Sequence, residues 1–191
     1  MAYRIQTSLH PMHNPRFRWL ETPDGFKPID WLRGFRADPA TVPTQAREYS
    51  NFKRFPDVFP TLGVWTVSED FRRIAEELEP GVNQYFPIEL FRRSGGPIKK
   101  QYYILNVCQS FDAIDTERSN ITWYVNEYGG GFYTQGKGGY SVVMFRDQIG
   151  GSHFWSGNEH FFNHNYASDE FVRRLKAAKI NGWRASKIEE V

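Results

Sequence analysis

The sequence predicts an α+β fold: a mostly antiparallel sheet with a few helices, in which two strand–helix–strand units resemble each other. Two observations predict this fold. Much of the chain divides into short apolar or aromatic segments separated by glycine and proline, which is typical of strands joined by turns. Only two stretches combine an amphipathic helical period with capping residues, and both have the same order of residues. Few helices beside many strands favour the α+β class.

The clearest helical stretch begins after Ser168. The Ser168 hydroxyl can accept a hydrogen bond from an N–H group that the first helical turn leaves unpaired. Acidic residues 169–170 follow, where negative charge complements the helix dipole. Phe171 and Leu175 lie one turn apart on an apolar face, and Gly182 is placed to end the helix. These signals together predict a helix, with a last strand near 184–188.

The same order of residues occurs around Ser68, which is 100 positions earlier than Ser168. Ser68 precedes two acidic residues, Phe71, a basic amphipathic run and Gly81, and an aromatic strand follows. A recurrence in a fixed order predicts an internal repeat, although capped helices in general share such features. We therefore expect 64–88 and 164–188 to form equivalent units with the same strand directions.

The other strands are predicted from apolar runs. Residues 101–108 are apolar on both faces, which indicates a central strand. In residues 121–125, Ile, Trp and Val alternate with Thr and Tyr, which favours a half-buried strand. The pairs 150–151 and 157–158 predict two-residue hairpin loops, and hence an antiparallel meander. The expected strands are 3–6, 16–20, 62–67, 82–91, 101–108, 121–125, 141–146, 152–156, 159–166 and 184–188.

Residues 1–60 contain eight of the eleven prolines, which remove backbone donors and interrupt helices. They also contain more large aromatic side chains than a free tail would carry. We expect an irregular N-terminal segment over 1–60, packed on an α+β domain over 61–191. Residues 51–60 alternate aromatic and polar side chains, which fits either a loop over the core or a recognition surface.

The composition fits one globular domain of 191 residues, because 17% aromatic residues can supply a core. A formal net charge of +2 predicts no strong bias toward nucleic acid or membranes, and it argues against a broad acidic surface that mimics DNA. Cys108 is the single cysteine, so we expect no disulfide framework. Residues 1–20 lack the apolar stretch of a signal peptide or membrane span, which predicts a cytoplasmic protein.

Three histidines lie close together late in the sequence: His153, His160 and His164. On a helix, the i, i+4 pair His160 and His164 would share a face and could bind zinc. Residues 159–166 fit a strand better, and there this spacing separates the side chains by roughly 13 Å. We therefore expect ordinary polar histidines and no bound metal.

A glycine-rich run over 129–139 resembles a phosphate-binding loop. It lacks the strand–loop–helix context that aligns backbone N–H groups on a phosphate, because a strand follows it. We expect a flexible loop between strands and no bound nucleotide. Its aromatic residues Phe132 and Tyr133, together with the nearby Tyr128, are candidates for contact with a partner.

Asp112, Asp115 and Glu117 place three carboxylates within six positions. A polar loop after the central strand explains them, and an acidic binding loop is a second interpretation. Catalysis by these groups with His153 or His160 is a third, which would need a partly buried cleft and a nucleophile or water site. No Ser/His or Cys/His arrangement is apparent around them.

Several short motifs, in a shared order and spacing, resemble one protein family. The residues that carry the resemblance are 84–88, 102–107, 112–115, Ser119, 154–155, 167–171 and 180–183. The family is DUF1629, immunity proteins of bacterial polymorphic toxin systems named after a Myxococcus xanthus member. The resemblance covers residues 62–188. Trp155 stands where that family usually has Arg, and Asn181 where Thr is common.

The resemblance implies a non-enzymatic immunity protein that binds and neutralises a cognate toxin or effector in the bacterial cytoplasm. We expect a monomer or homodimer with no cofactor and with no nucleic-acid or membrane partner. A small hydrolase that uses the Asp112, Asp115 and Glu117 loop, or a non-catalytic interaction scaffold, are the alternatives. The candidate partner-binding residues are Asp112, Asp115, Glu117, Glu127, Tyr128, Phe132 and Tyr133.

Overall fold

The computed structural model describes residues 1–8, 10, 14–27, 34–125, 131–136, 141–157 and 164–191, with the backbone alone for 131–135. One of its two larger sheets has six strands. They are β2 (Phe17–Trp19), β3 (Gln45–Glu48), β4 (Val58–Thr61), β5 (Val64–Ser68), β6 (Gln84–Phe91) and β7 (Tyr102–Asn106). The strand order is β2-β3-β6-β7-β5-β4, so β7 is internal, as the apolar run at 101–108 predicts.

The other larger sheet has five strands and includes the first strand of the chain. Its members are β1 (Ala2–Thr7), β8 (Ser110–Phe111), β12 (Phe154–Gly157), β13 (Asn165–Ser168) and β14 (Trp183–Lys187), in the order β14-β1-β13-β12-β8. Two smaller pairs complete the strands: β9 (Ile121–Val125) with β10 (Gly131–Gln135), and β11 (Val143–Met144) with β15 (Glu189–Glu190). Most pairs are antiparallel, which confirms the predicted class. The pairs β3–β6, β8–β12 and β11–β15 are parallel.

Two amphipathic helices, α1 (Glu69–Leu78) and α3 (Asp169–Ala177), form where the capping signals predict them. The Ser68 hydroxyl accepts a hydrogen bond from Phe71 N at 3.4 Å, and that of Ser168 accepts from Phe171 N at 3.2 Å. A short helix α2 (Arg146–Ile149) and a 3₁₀ turn (Pro39–Thr41) are the other helical segments among the described residues.

The two strand–helix–strand units are equivalent, which confirms the predicted repeat. Strands β5 and β6 both run antiparallel to β7, while β13 and β14 both run antiparallel to β1. Each unit therefore holds two strands of the same direction with one strand between them, and its helix packs on the first and the middle of these strands. The strand registers also match. Ser68 lies opposite Tyr102 and Ser168 opposite Ala2, while Gln84 lies opposite Asn106 and Arg184 opposite Gln6.

The equivalence extends to the outer edge of each unit. Strand β3 pairs in parallel with the end of β6, where Gln45 lies opposite Glu89. Strand β11 pairs in parallel with β15, where Val143 lies opposite Glu189. The repeat thus comprises both helices and most of both sheets.

The two units share one core cluster, which contains residues from α1, α3 and both larger sheets. The rings of Phe71 and Phe171 meet edge to face, with centroids 5.6 Å apart. Phe154 stacks on Phe171 at 5.1 Å. All three side chains are fully buried. Burying each of these rings stabilises the fold by roughly 1.5–3 kcal/mol. Because Phe71 and Phe171 come from different halves, their contact joins the two halves.

The end of α3 differs from the prediction. The helix ends at Ala177, and Lys179 adopts the left-handed conformation with φ 55°. Gly182 instead lies where the two halves approach each other, with φ 89°. A Cβ atom there would lie 2.0 Å from the backbone oxygen of Val58. Close backbone approach, and not helix termination, is what requires this glycine.

The predicted meander between 141 and 166 is wrong in two places. Gly150 adopts the left-handed conformation that ends α2, so 150–151 is no hairpin loop. In the β12–β13 hairpin, Ser156 lies opposite Asn165 and Gly157 N donates to His164 O, so the connection is longer than the two residues 157–158. Most of the predicted strand at 159–166 lies outside the described residues.

Residues 1–60 contribute β1, β2, β3 and most of β4 to the two larger sheets. Phe17 on β2 stacks on Phe59 at 5.5 Å and lies 5.8 Å from Phe55, so the segment before β4 covers the core. Among the described residues, no helix is long and apolar enough to cross a bilayer.

Candidate partner-binding surface

A two-stranded ribbon occupies the region predicted to be a glycine-rich loop. Residues 131–135 form β10, which pairs antiparallel with β9; Phe132 lies opposite Tyr124 and Tyr133 opposite Trp123. The flexible-loop prediction is therefore wrong for these five residues. The two hairpin strands are linked through residues 126–130, which include the candidates Glu127 and Tyr128 and lie outside the described residues.

The β9 strand exposes large apolar side chains on both of its faces. Trp123 is 45% exposed, Tyr124 53% and Val125 56%, although the alternation in 121–125 predicts a half-buried strand. Consecutive residues of a strand point to opposite faces, so both faces of this strand are partly exposed at these positions. An isolated two-stranded ribbon is marginally stable in water, and contiguous exposed apolar groups commonly mark interaction sites.

The acidic loop that precedes the ribbon has one inward and two outward carboxylates. Asp115 is 6% exposed, and its Oδ1 accepts hydrogen bonds from Glu117 N and Arg118 N at 3.0 and 3.1 Å. Its Oδ2 lies 3.5 Å from Arg118 Nε. Asp115 therefore holds the turn at 115–119, whereas Asp112 and Glu117 are exposed. Local side-chain-to-backbone bonding of this kind is typical of Asp in turns.

The structure connects the acidic loop to the ribbon through the backbone. Asn120 N donates to Ser141 O, and Gly136 N donates to Asn120 O, which fixes the open end of the ribbon beside the loop. Buried Ser119 donates its hydroxyl to Val143 O at 3.4 Å and accepts from Val143 N at 2.9 Å. Exposed carboxylates and exposed aromatic rings thus belong to one continuous stretch of chain.

The histidines do not converge on the acidic loop. His153 Nδ1 lies 2.8 Å from the Ser168 hydroxyl, so this ring supports the cap of α3. His164 is half-buried beside the Tyr166 ring, and burial together with the Arg4 charge lowers the pKa of His164 to about 4. His160 lies outside the described residues. Within the described ranges, no group of three His, Cys, Asp or Glu side chains could hold a metal ion.

Sequence reasoning missed the exposure of Trp123, Tyr124 and Val125. Their alternation correctly indicates a strand, but alternation alone does not show whether the strand packs on a core. The glycines on either side of 132–135 also conceal the partner strand, since glycine is depleted in strands. The useful signal is that three consecutive large apolar residues precede a glycine-rich run.

The comparison with known families agrees with the motif resemblance. A family model described as the immunity protein family (Imm11) matches residues 16–190. No curated protein matches this chain. Because the family match covers most of the sequence, the chain belongs to the Imm11 immunity protein family.

Proposed function

We propose that this protein is a cytoplasmic immunity protein that binds a cognate bacterial toxin and neutralises it without catalysis. Membership of an immunity family supports this function. The β9–β10 ribbon supports the location of the binding site, because three consecutive residues, Trp123, Tyr124 and Val125, are exposed on it. The ribbon is the docking element for the toxin.

The energetics favour such a role for these residues. Tight interfaces concentrate their binding energy in a few aromatic and Arg anchors surrounded by polar groups that exclude water. Trp123 and Tyr124 are anchors of this kind, and the exposed carboxylates of Asp112 and Glu117 lie on the loop that leads to them. Phe132 and Tyr133, whose backbones pair with these two residues, belong to the same proposed surface.

The hydrolase alternative lacks a supporting observation. A general acid or base must reach a reacting group, whereas the Asp115 carboxylate is occupied by two backbone N–H donors of its own turn. His153 is hydrogen-bonded to Ser168, which caps α3. Both groups are therefore used to hold the fold, and a binding role suits the exposed residues better.

The test is binding and growth rescue with the toxin encoded beside the gene. Trp123→Ala and Tyr124→Ala are compared with Phe35→Ala, a matched control that truncates a ring 58% exposed outside the ribbon. At least one ribbon variant should lose about 2 kcal/mol of affinity or more, which is roughly a thirtyfold rise in Kd. The control should bind like the wild type.

Each variant should keep its melting temperature, because the truncated rings are exposed. Wild-type protein that neither binds the toxin nor restores growth would refute the immunity function. Normal binding by both ribbon variants and by Phe132→Ala and Tyr133→Ala would instead refute the ribbon as the docking element. If the wild type shows hydrolytic activity and the Glu117→Gln variant loses it, the result would support the enzyme alternative.

A further inference from the structure

One end of the six-stranded sheet carries a dense group of basic residues, which we name the basic face. Its members are Arg16, Arg18, Arg47, Lys53, Arg54, Arg92, Arg93, Lys99 and Lys100. Strands β2, β3 and β6 bring them together, with the turn after β6 and the segment before β4. The whole chain has a formal charge of only +2, so the remainder of the chain is net acidic.

Backbone pairing and side-chain contacts connect the members of the basic face. Arg18 lies directly opposite Arg47 in the β2–β3 pair, and Arg47 lies opposite Phe91 in the β3–β6 pair. Arg92, the next residue after β6, donates from Nη1 to Phe52 O at 3.0 Å. Its guanidinium also lies 5.3 Å from the centroid of the Phe55 ring. The charges therefore form one surface and are not scattered along the sequence.

Of the nearby acids, Glu48 and Asp57 are buried, and the exposed Glu89 on β6 accepts a hydrogen bond from Gln45 Nε2 at 2.7 Å. Glu48 is 2% exposed, and its carboxylate accepts hydrogen bonds from Phe52 N and the Ser50 hydroxyl. Asp57 pairs with Lys100 and also accepts a hydrogen bond from Asn181 N at 3.0 Å. Among the described residues, eight of these nine basic side chains form no ion pair, and Lys100 is the member that has a carboxylate partner.

Arg47 has two unfavourable features, and the first of them favours an anionic partner. Like charges directly opposite each other on neighbouring strands are destabilising, and Arg18 and Arg47 are such a pair. In addition, Arg47 Nε is buried from solvent and has no hydrogen-bond acceptor, which is costly for a polar group. A carboxylate bound beside the two guanidinium groups would relieve the repulsion between them, because Arg binds carboxylates in a planar, bidentate manner.

We propose that the basic face is a second contact surface for the cognate toxin and that it takes an acidic patch of that protein. This inference rests on the proposed immunity function. Tyr49, which is 50% exposed and follows β3, supplies an aromatic anchor beside the charges. A compact acidic protein surface fits better than nucleic acid, because the net acidic remainder of the chain repels a long polyanion.

The physical role of the basic face is to steer association. Complementary charges raise the association rate and make it sensitive to ionic strength, whereas the apolar anchors of the ribbon mainly set the dissociation rate. The toxin surface that meets this protein therefore carries acidic residues. This requirement restricts which toxins of the same class the protein can recognise.

The experiment measures association with the toxin at low and high salt by stopped-flow fluorescence. The double variant Arg18→Glu with Arg93→Glu reverses two exposed charges of the basic face. The matched control, Lys176→Glu with Lys187→Glu, reverses two exposed charges elsewhere. We expect the first variant to associate about tenfold more slowly at low salt and to lose most of its salt dependence. The control should resemble the wild type in association rate, dissociation rate and melting temperature.

An association rate equal to that of the control would overturn the proposal, even if the ribbon variants still weaken binding. Failure of the wild type to bind any toxin would instead refute the immunity function itself. A fluorescent single-stranded DNA oligonucleotide serves as the competing probe. If it binds the wild type but not the Arg18→Glu, Arg93→Glu variant, and toxin association is unaffected, the basic face binds nucleic acid and the proposal is wrong.

Discussion

At the residue scale, Ser68 and Ser168 show how one side chain decides where a helix begins. Each is the last residue of a strand and the N-cap of the following helix. Its extended backbone completes the sheet, while its hydroxyl satisfies an N–H group of the helix. A single residue thus belongs to both elements, and the change of direction needs no connecting loop.

We predict that Ser168→Ala lowers the free energy of unfolding by about 1 kcal/mol, because Phe171 N loses its acceptor. The contact with His153 Nδ1 is lost as well. Urea denaturation measures the change, with the exposed Ser94→Ala as the control. Equal stability of the two variants would show that the cap does not contribute.

His164 should make stability depend on pH. Burial and the nearby Arg4 lower the pKa of His164 to about 4 in the folded state, against about 6.5 when unfolded. Between these values the unfolded chain binds the extra proton, so the free energy of unfolding falls as the pH falls. We predict a loss of about 2 kcal/mol between roughly pH 6.5 and 5, and His164→Gln should remove most of it. An unchanged slope in that variant would contradict the assignment.

At the element scale, local signals predicted the repeat units well and the pairing between distant elements poorly. The caps, the apolar helix faces and the β7 run depend on neighbouring residues, so the sequence displays them directly. The position of β1 between β13 and β14 depends on partners more than 150 residues away. The strand at 131–135 likewise depends on its pairing with β9. Asp115 faces inward because of hydrogen bonds within its own turn, which a helix or strand period does not encode.

At the element scale, the contact between α1 and α3 can be tested to learn how much it contributes to joining the repeats. We predict that Phe171→Ala lowers the free energy of unfolding by about 3–5 kcal/mol, because a fully buried ring that touches Phe71 and Phe154 is removed. Phe35→Ala, which removes an exposed ring, should cost far less. Denaturant titration of both variants gives the comparison, and similar losses would mean that the helices contribute little to the interface.

At the scale of the whole molecule, one shared core should make the two repeats unfold together. Fully buried residues of both halves, such as Val67 and Ala167, belong to the same cluster. We predict one transition in which far-UV circular dichroism and tryptophan fluorescence change at the same denaturant concentration. Tryptophan occurs in both halves, as Trp65 and Trp155, so the fluorescence reports on each. Two separate transitions would show that the halves are independent.

The place of β1 also fixes an order of events while the ribosome makes the chain. The first repeat has all its strands once residue 106 has been added, and it can close at that point. Strand β1 was made earlier. Its neighbours β13 and β14 are both present only once synthesis has reached residue 187. At about 5–20 residues per second, β1 waits for roughly 4–16 s after the first repeat is complete. During that interval its unpaired backbone must be shielded by the nascent chain itself or by a chaperone.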